Sequence, residues 1–457
     1  MSLVNRTQEL KYLNTYYERT GSQIIVVYGA KGVGKQDIIS AFIKDKTNTY
    51  YKARPASERE QLYQWGKELT SGKKKFPKYP GYDDIFHCIT ESDSDKKVII
   101  IDEFQFIVKN SQDFIPKLVE LVHGKWKKSQ VLVILLSSQV GWIENSLVSK
   151  IGEQAYELSG FLKVKELGFC DVAGLFPAYP VSKAVEVFSI LGGNPGMWKY
   201  FDDKLSIEKN VCHNILASGA FLHQHAERIV ADELRETGIY NTILAAIAEG
   251  HHKLNDLHLH TDFSRAKISV YLKNLMELGL VEKVYEKETS GKGYYRILNH
   301  FVHFHFTYLY PYQSDLIRLS STEFYKTHIA PTFKSYVANY FKMACISKLE
   351  LWNKENKLPI KFELCGEWTG SAGTIDITAK DASGKTLIGL CNWEKPLMTH
   401  DDYEWLLFCA DKAGLAADYV YLFSAGHYDE KLELESKVKQ NVYLIGVNDL
   451  ASQREGL

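Results

Sequence analysis

A glycine-rich segment between an apolar run and a helical pattern constrains the fold of this chain most strongly. The residues that fit the pattern GxxxxGK are Gly29, Ala30, Lys31, Gly32, Val33, Gly34 and Lys35. Residues 23–28 form a β-branched run typical of a buried parallel strand, and residues 36–44 have helical periodicity. Glycines let successive backbone N–H groups face phosphates, and a helix N-terminus adds partial positive charge. The segment predicts a phosphate-binding loop whose Lys35 reaches the β- and γ-phosphates of a nucleotide. The alternative is a glycine-rich turn in an unrelated sheet.

An acidic pair follows a second apolar run, residues 98–101. Asp102 is expected to hold Mg²⁺, directly or through water, and Glu103 to polarise an attacking water. Ser137 and Ser138 end a third strand, residues 131–136, and could position the water or the γ-phosphate. The alternatives are an aspartate that caps the next helix and serines without a role. Strands that alternate with helices predict an α/β fold with a doubly wound parallel sheet.

The residue after the loop departs from the usual pattern, because Gln36 stands where Ser or Thr is expected. That hydroxyl normally ligates Mg²⁺. A glutamine amide oxygen could replace it only from a different position. The sequence therefore favours nucleotide binding over hydrolysis.

Charge and cysteine content narrow the class of protein further. The chain has 55 basic and 56 acidic residues, a net charge of −1, which argues against a generally basic nucleic-acid binder but not against a local patch. Seven scattered cysteines without a CxxC pair favour reduced thiols over disulfides or a zinc site. No apolar run approaches the roughly 18 residues that a membrane span needs. We expect a soluble cytoplasmic protein without a membrane partner.

Residues 240–296 have the pattern of a winged helix, with three helices followed by a hairpin around residues 289–293. The third helix, opened by Ser264, carries Arg265, Lys267, Ser269 and Lys273 on its expected outer face, and Lys283, Lys287, Lys292 and Arg296 belong to the wing. These residues could contact DNA phosphates. Residues 260–297 contain seven Lys or Arg against five Asp or Glu, a weak excess, so a packing module between domains is the alternative.

Several histidines cluster in and after this segment, but their neighbours supply no cysteine or carboxylate set at ligand spacing. We therefore expect them to be surface or core residues; they are His251, His252, His258, His260, His300, His303 and His305.

These motifs, in this order, resemble the archaeal-type P-loop ATPases of the AAA/STAND-like group. The resemblance begins at Asn5-Arg6, continues through the loop and Asp102-Glu103-Phe104, and includes Gly192-Gly193-Asn194-Pro195. It implies ATP with Mg²⁺ as ligands, nucleotide contacts from Asn5 and Arg6, and a RecA/AAA-like sheet with a helical lid. The implied domains are an ATPase core at 1–165, a lid at 166–228, a winged helix at 229–312 and a nuclease-like domain at 313–457.

The family often carries a Gly-Arg-Arg-Thr stretch after the third strand, whereas residues 156–160 here contain no arginine. An arginine that stabilises transition-state charge contributes about 10³–10⁵ in rate. The resemblance therefore implies slow hydrolysis, unless a protein partner or self-association supplies an arginine.

The C-terminal segment resembles the PD-(D/E)xK-type domain that ends many members of this family. Asp376 matches the strand-end aspartate, but Leu390 and Asn392 stand where the Glu and Lys of that motif belong. Glu363, Glu367 or Glu394 could replace the missing acid. We expect a retained fold without cleavage, in which Asp376 is a vestigial metal ligand.

Three hypotheses follow from these residues. The first is an ATP-binding regulatory switch with weak or partner-dependent hydrolysis. The second is a DNA-binding winged-helix protein whose P-loop domain is mainly a scaffold. The third is an active nuclease with displaced ligands, which Leu390 and Asn392 disfavour.

Overall fold

A computed structural model describes residues 5–70, 76–90, 96–127, 129–231, 234–285, 293–370 and 372–451. The chain divides into two compact units, residues 1–166 with 277–279 and residues 167–276 with 280–457. Within the described ranges, no helix combines the length and the apolar character that a membrane crossing requires.

The first unit is built on a five-stranded parallel sheet in the order β2-β3-β4-β1-β5. Its strands are β1 (Gln23–Tyr28), β2 (Asn48–Lys52), β3 (Lys96–Asp102), β4 (Gln130–Ser137) and β5 (Gly160–Lys163). The three central strands are continuous Val, Ile and Leu runs because helices cover both faces of the sheet. Since β4 lies between β1 and β3, the carboxyl ends of these strands meet at one edge, and the predicted parallel sheet is confirmed.

Within the described residues of this unit, eight α-helices accompany the sheet, and the glycine-rich segment joins β1 to the second of them. They are α1 (Thr7–Tyr17), α2 (Lys35–Ile43), α3 (Glu58–Thr70), α4 (Tyr82–Thr90), α5 (Gln105–Val108), α6 (Phe114–His123), α7 (Val140–Trp142) and α8 (Val148–Ile151).

The second unit begins with short helices in the segment predicted as a lid, and the role of a lid stays a prediction. They are α9 (Phe169–Leu175), α10 (Val181–Leu191), α11 (Pro195–Trp198), α12 (Ile207–Val211) and α13 (His225–Ala231). Helix α10 ends at Gly192, whose φ of 62° is left-handed, and the side chain of Asn194 accepts the Gly196 N–H to begin α11. The predicted stop at residues 192–195 therefore has a clear physical cause.

The next segment has the predicted arrangement of three helices and a hairpin. Its elements are α14 (Thr237–Ala248), α15 (Leu254–Thr261), α16 (Arg265–Glu277), β6 (Val281–Tyr285) and β7 (Gly293–Ile297). Ile268, Leu272 and Leu275 recur on one face of α16 and are fully buried, which orients the helix. Lys287 and Lys292 of the predicted wing lie outside the described residues.

The remaining chain packs a long helix and further helices around a mixed sheet. The helices are α17 (His300–Tyr308), α18 (Gln313–Arg318), α19 (Ser321–Phe324), α20 (Ala330–Lys354), α21 (His400–Lys412) and α22 (Glu430–Val438). The strands are β8 (Phe362–Gly370), β9 (Gly373–Asp381), β10 (Thr386–Asn392), β11 (Leu397–Met398), β12 (Tyr419–Ser424), β13 (His427–Tyr428) and β14 (Val442–Gly446). The sheet order is β14-β12-β10-β9-β8, antiparallel from β8 to β10 and parallel from β10 to β14.

Two of the histidines belong to the core around α17 and α20. The Nδ1 of His300 hydrogen-bonds with the Phe188 carbonyl at 2.7 Å, and that of His303 with the Tyr340 hydroxyl at 2.6 Å. Burial lowers the pKa of both imidazoles to about 4, so both are neutral at physiological pH.

Candidate functional site

The glycine-rich loop needs its glycines for conformation and for space. Gly32 and Gly34 have φ values of 84° and 96°, in the left-handed region that favours glycine. A Cβ on Gly29 would lie 2.3 Å from the Val164 carbonyl oxygen. The Gly29 N–H donates to the Ser137 carbonyl at 3.2 Å, which fixes the start of the loop to the end of β4.

Lys35 opens α2 and folds back over the loop that precedes it. Its side chain is buried, and Nζ donates to the carbonyl oxygens of Gly29 and, at 3.0 Å, Ala30. Burial lowers the pKa of Lys35 to about 8, and the nearby carboxylates of Glu103 and Asp102 limit the fall. The loop thus holds a poorly hydrated ammonium group that phosphate oxygens could bind in place of the two carbonyls.

Asp102 ends β3 and already accepts hydrogen bonds from protein donors. Its Oδ2 accepts from the Tyr50 hydroxyl at 2.7 Å and from the Gln36 amide at 3.5 Å, and the Lys52 ammonium lies 3.9 Å away. Mg²⁺ prefers oxygen ligands in octahedral geometry, but Gln36 directs a nitrogen donor towards this carboxylate. The side chains at this position therefore do not fit Mg²⁺ as well as a set with a Ser or Thr hydroxyl at residue 36 would. The role of Asp102 as a metal ligand stays a prediction.

Glu103 follows with a left-handed φ of 54°, which is costly for a residue with a side chain. Its Oε2 accepts from the Gln105 amide at 2.6 Å and from the Ser138 hydroxyl at 2.7 Å. Ser137 is fully buried, and its hydroxyl accepts the Gln139 N–H at 3.1 Å. Of the two serines, Ser138 is therefore the one that contacts the predicted catalytic acid.

Arg6, directly before α1, supports the loop rather than projecting freely. Its side chain is buried, and Nη2 donates to the Val33 carbonyl at 2.7 Å while Nη1 pairs with Glu9 at 2.8 Å. Asn5 precedes it with a left-handed φ of 51°. This geometry makes Arg6 a support for the loop backbone, and contact of Asn5 or Arg6 with a nucleotide stays a prediction.

Tyr50, Lys52 and Gln105 were missed by the sequence analysis. Tyr50 and Lys52 lie on β2, which is too polar to stand out as a strand. The strand order places β2 beside β3, so both side chains reach Asp102. Only a prediction of β2 and of its place next to β3 could have found Tyr50 and Lys52, whereas Gln105 lies two residues after Glu103 and contacts it directly.

A second charged cluster surrounds Asp376 on β9 of the other unit. Asp376 Oδ2 accepts the Cys391 N–H at 2.8 Å, and Oδ1 lies 4.0 Å from the Lys342 ammonium. Lys342 also forms an ion pair with Glu367 of β8. Burial raises the pKa of Asp376, while the Cys391 N–H and Lys342 oppose this rise.

Of the three acids proposed to replace the missing ligand, Glu367 is the one that shares a lysine with Asp376. Glu363 is exposed, and the Glu394 carboxylate accepts from Ser335 on α20. The amide of Asn392 donates to the Lys395 carbonyl at 2.9 Å and to the Ser424 hydroxyl at 3.1 Å. Asn392 therefore has a local structural role.

The wing strand β7 also contacts this second cluster. The Tyr294 hydroxyl lies 3.4 Å from Glu367 Oε1, and Arg296 Nη1 lies 3.9 Å from Glu367 Oε2. Arg296 pairs with Glu282 as well. Arg296, which was expected to be available for DNA, is therefore engaged within the protein, as the packing alternative predicts.

The outer face of α16 retains exposed basic side chains. Arg265, Ser269 and Lys273 are exposed and form an i, i+4 row beside the buried Ile268 and Leu272. Arg265 donates to Asn255 of α15. The face is therefore compatible with phosphate contacts, although its charge is modest.

Comparisons with known proteins match three successive segments of the chain. Residues 3–201 match an ATPase domain predominantly from Archaea. Residues 241–283 match the bacterial regulatory proteins of the arsR family, and residues 305–404 match archaeal and bacterial proteins of unknown function. The last match does not confirm the predicted nuclease-like fold of residues 313–457, which stays a prediction.

Individual relatives are distant. An uncharacterized protein of Methanocaldococcus jannaschii is 26% identical over 413 residues, which cover 86% of this chain and 87% of that protein. A Walker-type ATPase of Pyrococcus abyssi aligns with a TM-score of 0.48 and 14% identity, over 66% of this chain and 96% of that one. The ORC2 protein of Aeropyrum pernix aligns with a TM-score of 0.47 and 14% identity, over 69% of this chain and 94% of that one. The chain thus carries an archaeal-type ATPase domain, then an arsR-like helix-turn-helix segment, then a segment shared with proteins of unknown function.

Proposed function

We propose that this protein is an ATP-binding regulatory protein with slow or partner-dependent hydrolysis. The observation that carries the proposal is the buried ammonium of Lys35 inside a glycine loop at the N-terminus of α2. Burying a cation costs free energy unless an anion accompanies it. Phosphate oxygens would replace the hydrogen bonds that the Gly29 and Ala30 carbonyls now accept and would add negative charge to that of the nearby Glu103 and Asp102 carboxylates.

The surroundings of Glu103 are consistent with a base that is held in place. Two donors, Gln105 and Ser138, orient its carboxylate at the edge of the sheet next to the loop. A water molecule held by this carboxylate would be the nucleophile. We propose slow turnover because residues 156–160 contain no arginine, so a partner or a second copy would have to supply transition-state charge.

Retention and turnover of radiolabelled ATP test this proposal. The wild-type chain should retain ATP and convert it slowly to ADP, Glu103→Gln should retain ATP without conversion, and Lys35→Met should retain much less of either nucleotide. Lys44→Met, at an exposed position after α2, is the matched control and should behave as wild type. Retention that is the same in wild type and in Lys35→Met would contradict the proposal.

DNA binding through the winged helix is the second candidate, favoured by the exposed Arg265 and Lys273 on α16. Phosphate contacts are strongest at low salt, so a gel shift at about 50 mM salt is the sensitive assay. The Arg265→Ala/Lys273→Ala variant should weaken the shift, and Lys412→Ala on α21 should not. No shift of the wild type under these conditions would remove this candidate.

We propose further that the C-terminal sheet is a nuclease-type fold that has lost cleavage. Support comes from the antiparallel β8-β9-β10 meander that continues into parallel β12, and from Asp376 on its second strand. Lys342 and the Cys391 N–H already satisfy that carboxylate. Long incubation of plasmid with the chain and Mn²⁺ should give no nicking, and nicking that Asp376→Asn abolishes would contradict this view.

A further inference from the structure

Three side chains with metal-binding atoms converge on the winged-helix segment. The carboxylate of Glu249 and ring nitrogens of His251 and His260 all lie within 4.8 Å of one another. Glu249 Oε2 and His260 Nε2 are 3.5 Å apart, and the two imidazole rings lie 4.1 Å apart with an angle of 30° between them. We refer to these three residues as the His₂Glu cluster.

The backbone at both sides of the cluster is fixed by local structure. Helix α14 ends at Ala248, and the turn after it is closed by hydrogen bonds from the Gly250 N–H to the Ile247 carbonyl at 3.1 Å and from the His251 N–H to the Ala246 carbonyl at 3.0 Å. Gly250 has a φ of 102°. This is a glycine-dependent helix end, which orders its residues.

His260 lies in the last turn of α15, which is anchored independently. Leu257 of this helix is fully buried, and the Nδ1 of His258 hydrogen-bonds with the Phe263 carbonyl at 2.8 Å. The two parts of the cluster therefore come from separate elements whose positions do not depend on the cluster itself. A ligand at this point would meet side chains whose backbones are already in place.

The distances suit a transition-metal dication. Zn²⁺ bonds to histidine nitrogen and carboxylate oxygen are about 2.1 Å, so a tetrahedral centre places its ligand atoms about 3.4 Å apart. The separation of 3.5 Å between Glu249 Oε2 and His260 Nε2 is already close to this value, and a ring nitrogen of His251 lies within 4.8 Å of both ligand atoms. Two imidazoles and one carboxylate are a known zinc ligand set, which leaves a fourth position open for water.

From this geometry we infer that the winged helix binds one Zn²⁺ ion, or a similar divalent transition metal, through Glu249, His251 and His260. The ion would join the end of α14 to the last turn of α15, directly before the turn that leads into α16. From the sequence alone, these histidines were expected to lack a carboxylate at ligand spacing. Glu249 and His251 are two residues apart, a spacing that places side chains on different faces of a helix, but α14 ends at Ala248, before both residues.

Titration of the 457-residue chain with Zn²⁺ against a chromophoric chelator tests the inference. The wild type should show one site, and His260→Ala and Glu249→Gln should each lower its Zn²⁺ affinity about tenfold or more. Loss of a group that only hydrogen-bonds to a metal ligand already lowers metal affinity by about that factor. His258→Asn is the matched control, because an amide can keep the hydrogen bond to the Phe263 carbonyl. It should bind Zn²⁺ as the wild type does.

Zn²⁺ binding that is equal in wild type and in His260→Ala would overturn the inference. If His260→Ala and His258→Asn both lose binding, Glu249→Gln decides, because its half-exposed carboxylate ends a helix and can be replaced without disturbing the fold. Unchanged affinity in Glu249→Gln would then overturn the inference, and reduced affinity would support it.

Discussion

Binding of ATP should be coupled to proton uptake by Lys35. In the nucleotide-free protein, burial lowers the pKa of this ammonium to about 8. Phosphate oxygens in contact with Nζ favour the charged form, so the complex should return the pKa of Lys35 to its ordinary value near 10.5 or above it. The affinity for ATP is then constant below about pH 7 and falls about tenfold per pH unit above about pH 8.

The magnitude follows from the fraction of protein in which Lys35 is protonated before binding. That fraction is about nine-tenths at pH 7 and about one-tenth at pH 9, so the affinity should drop about tenfold between these values. Binding should take up about half a proton at pH 8 and about 0.9 at pH 9. The terminal phosphate of ATP ionises near pH 6 and contributes little at these pH values.

Calorimetry in two buffers of different ionisation enthalpy measures this uptake directly. Lys35→Met keeps the length of the side chain and removes the charge, so its weaker binding should involve no proton uptake above pH 8. The lost charge-assisted hydrogen bonds should cost about 1.5–3 kcal/mol at pH 7. Wild-type binding without proton uptake between pH 8 and 9 would refute the coupling between the buried ammonium and the phosphates.

Three further predictions concern other parts of the chain. Gln36→Thr supplies the hydroxyl that Mg²⁺ normally binds, so ATP affinity should become more dependent on Mg²⁺ in calorimetric titrations with and without EDTA; an unchanged dependence would argue against a role for residue 36. Leu272→Ala should destabilise the winged helix by about 2–5 kcal/mol in urea denaturation, whereas Val270→Ala, at a position 58% exposed, should change it little. Gly193→Ala places a Cβ 1.9 Å from a backbone carbonyl and should lower the melting temperature, whereas Gly174→Ala has open space and should not; equal effects would contradict the packing argument.

Sequence patterns predicted the elements whose residues are uniform in character. Strands β1, β3 and β4 are continuous Val, Ile and Leu runs because both faces of the sheet are covered, so they stand out from the sequence alone. Strand β2 carries Asn, Thr, Tyr and Lys and is largely exposed, and β5 is a four-residue edge strand. Neither has a periodicity that distinguishes it from a loop, and both were missed.

Site residues could also be predicted from the sequence only where a local motif contains them. The motif residues of the loop and of β3 are adjacent in sequence to the structure that positions them, so they could be identified directly. Tyr50 reaches Asp102 only through the strand order. Lys342 and Glu367 join Asp376 from a helix and a neighbouring strand, and no spacing in the sequence encodes that meeting. Contacts between side chains that are distant in the sequence therefore could not be predicted from it.

The most direct test of the central claim is a calorimetric titration of the 457-residue chain with ATP and with ADP, in the presence and absence of Mg²⁺, for wild type and Lys35→Met. The account predicts saturable one-to-one binding to the wild type that persists without Mg²⁺ and is much weaker in the variant. Absence of binding of either nucleotide to the wild type would contradict the account and would leave the glycine loop as a structural turn.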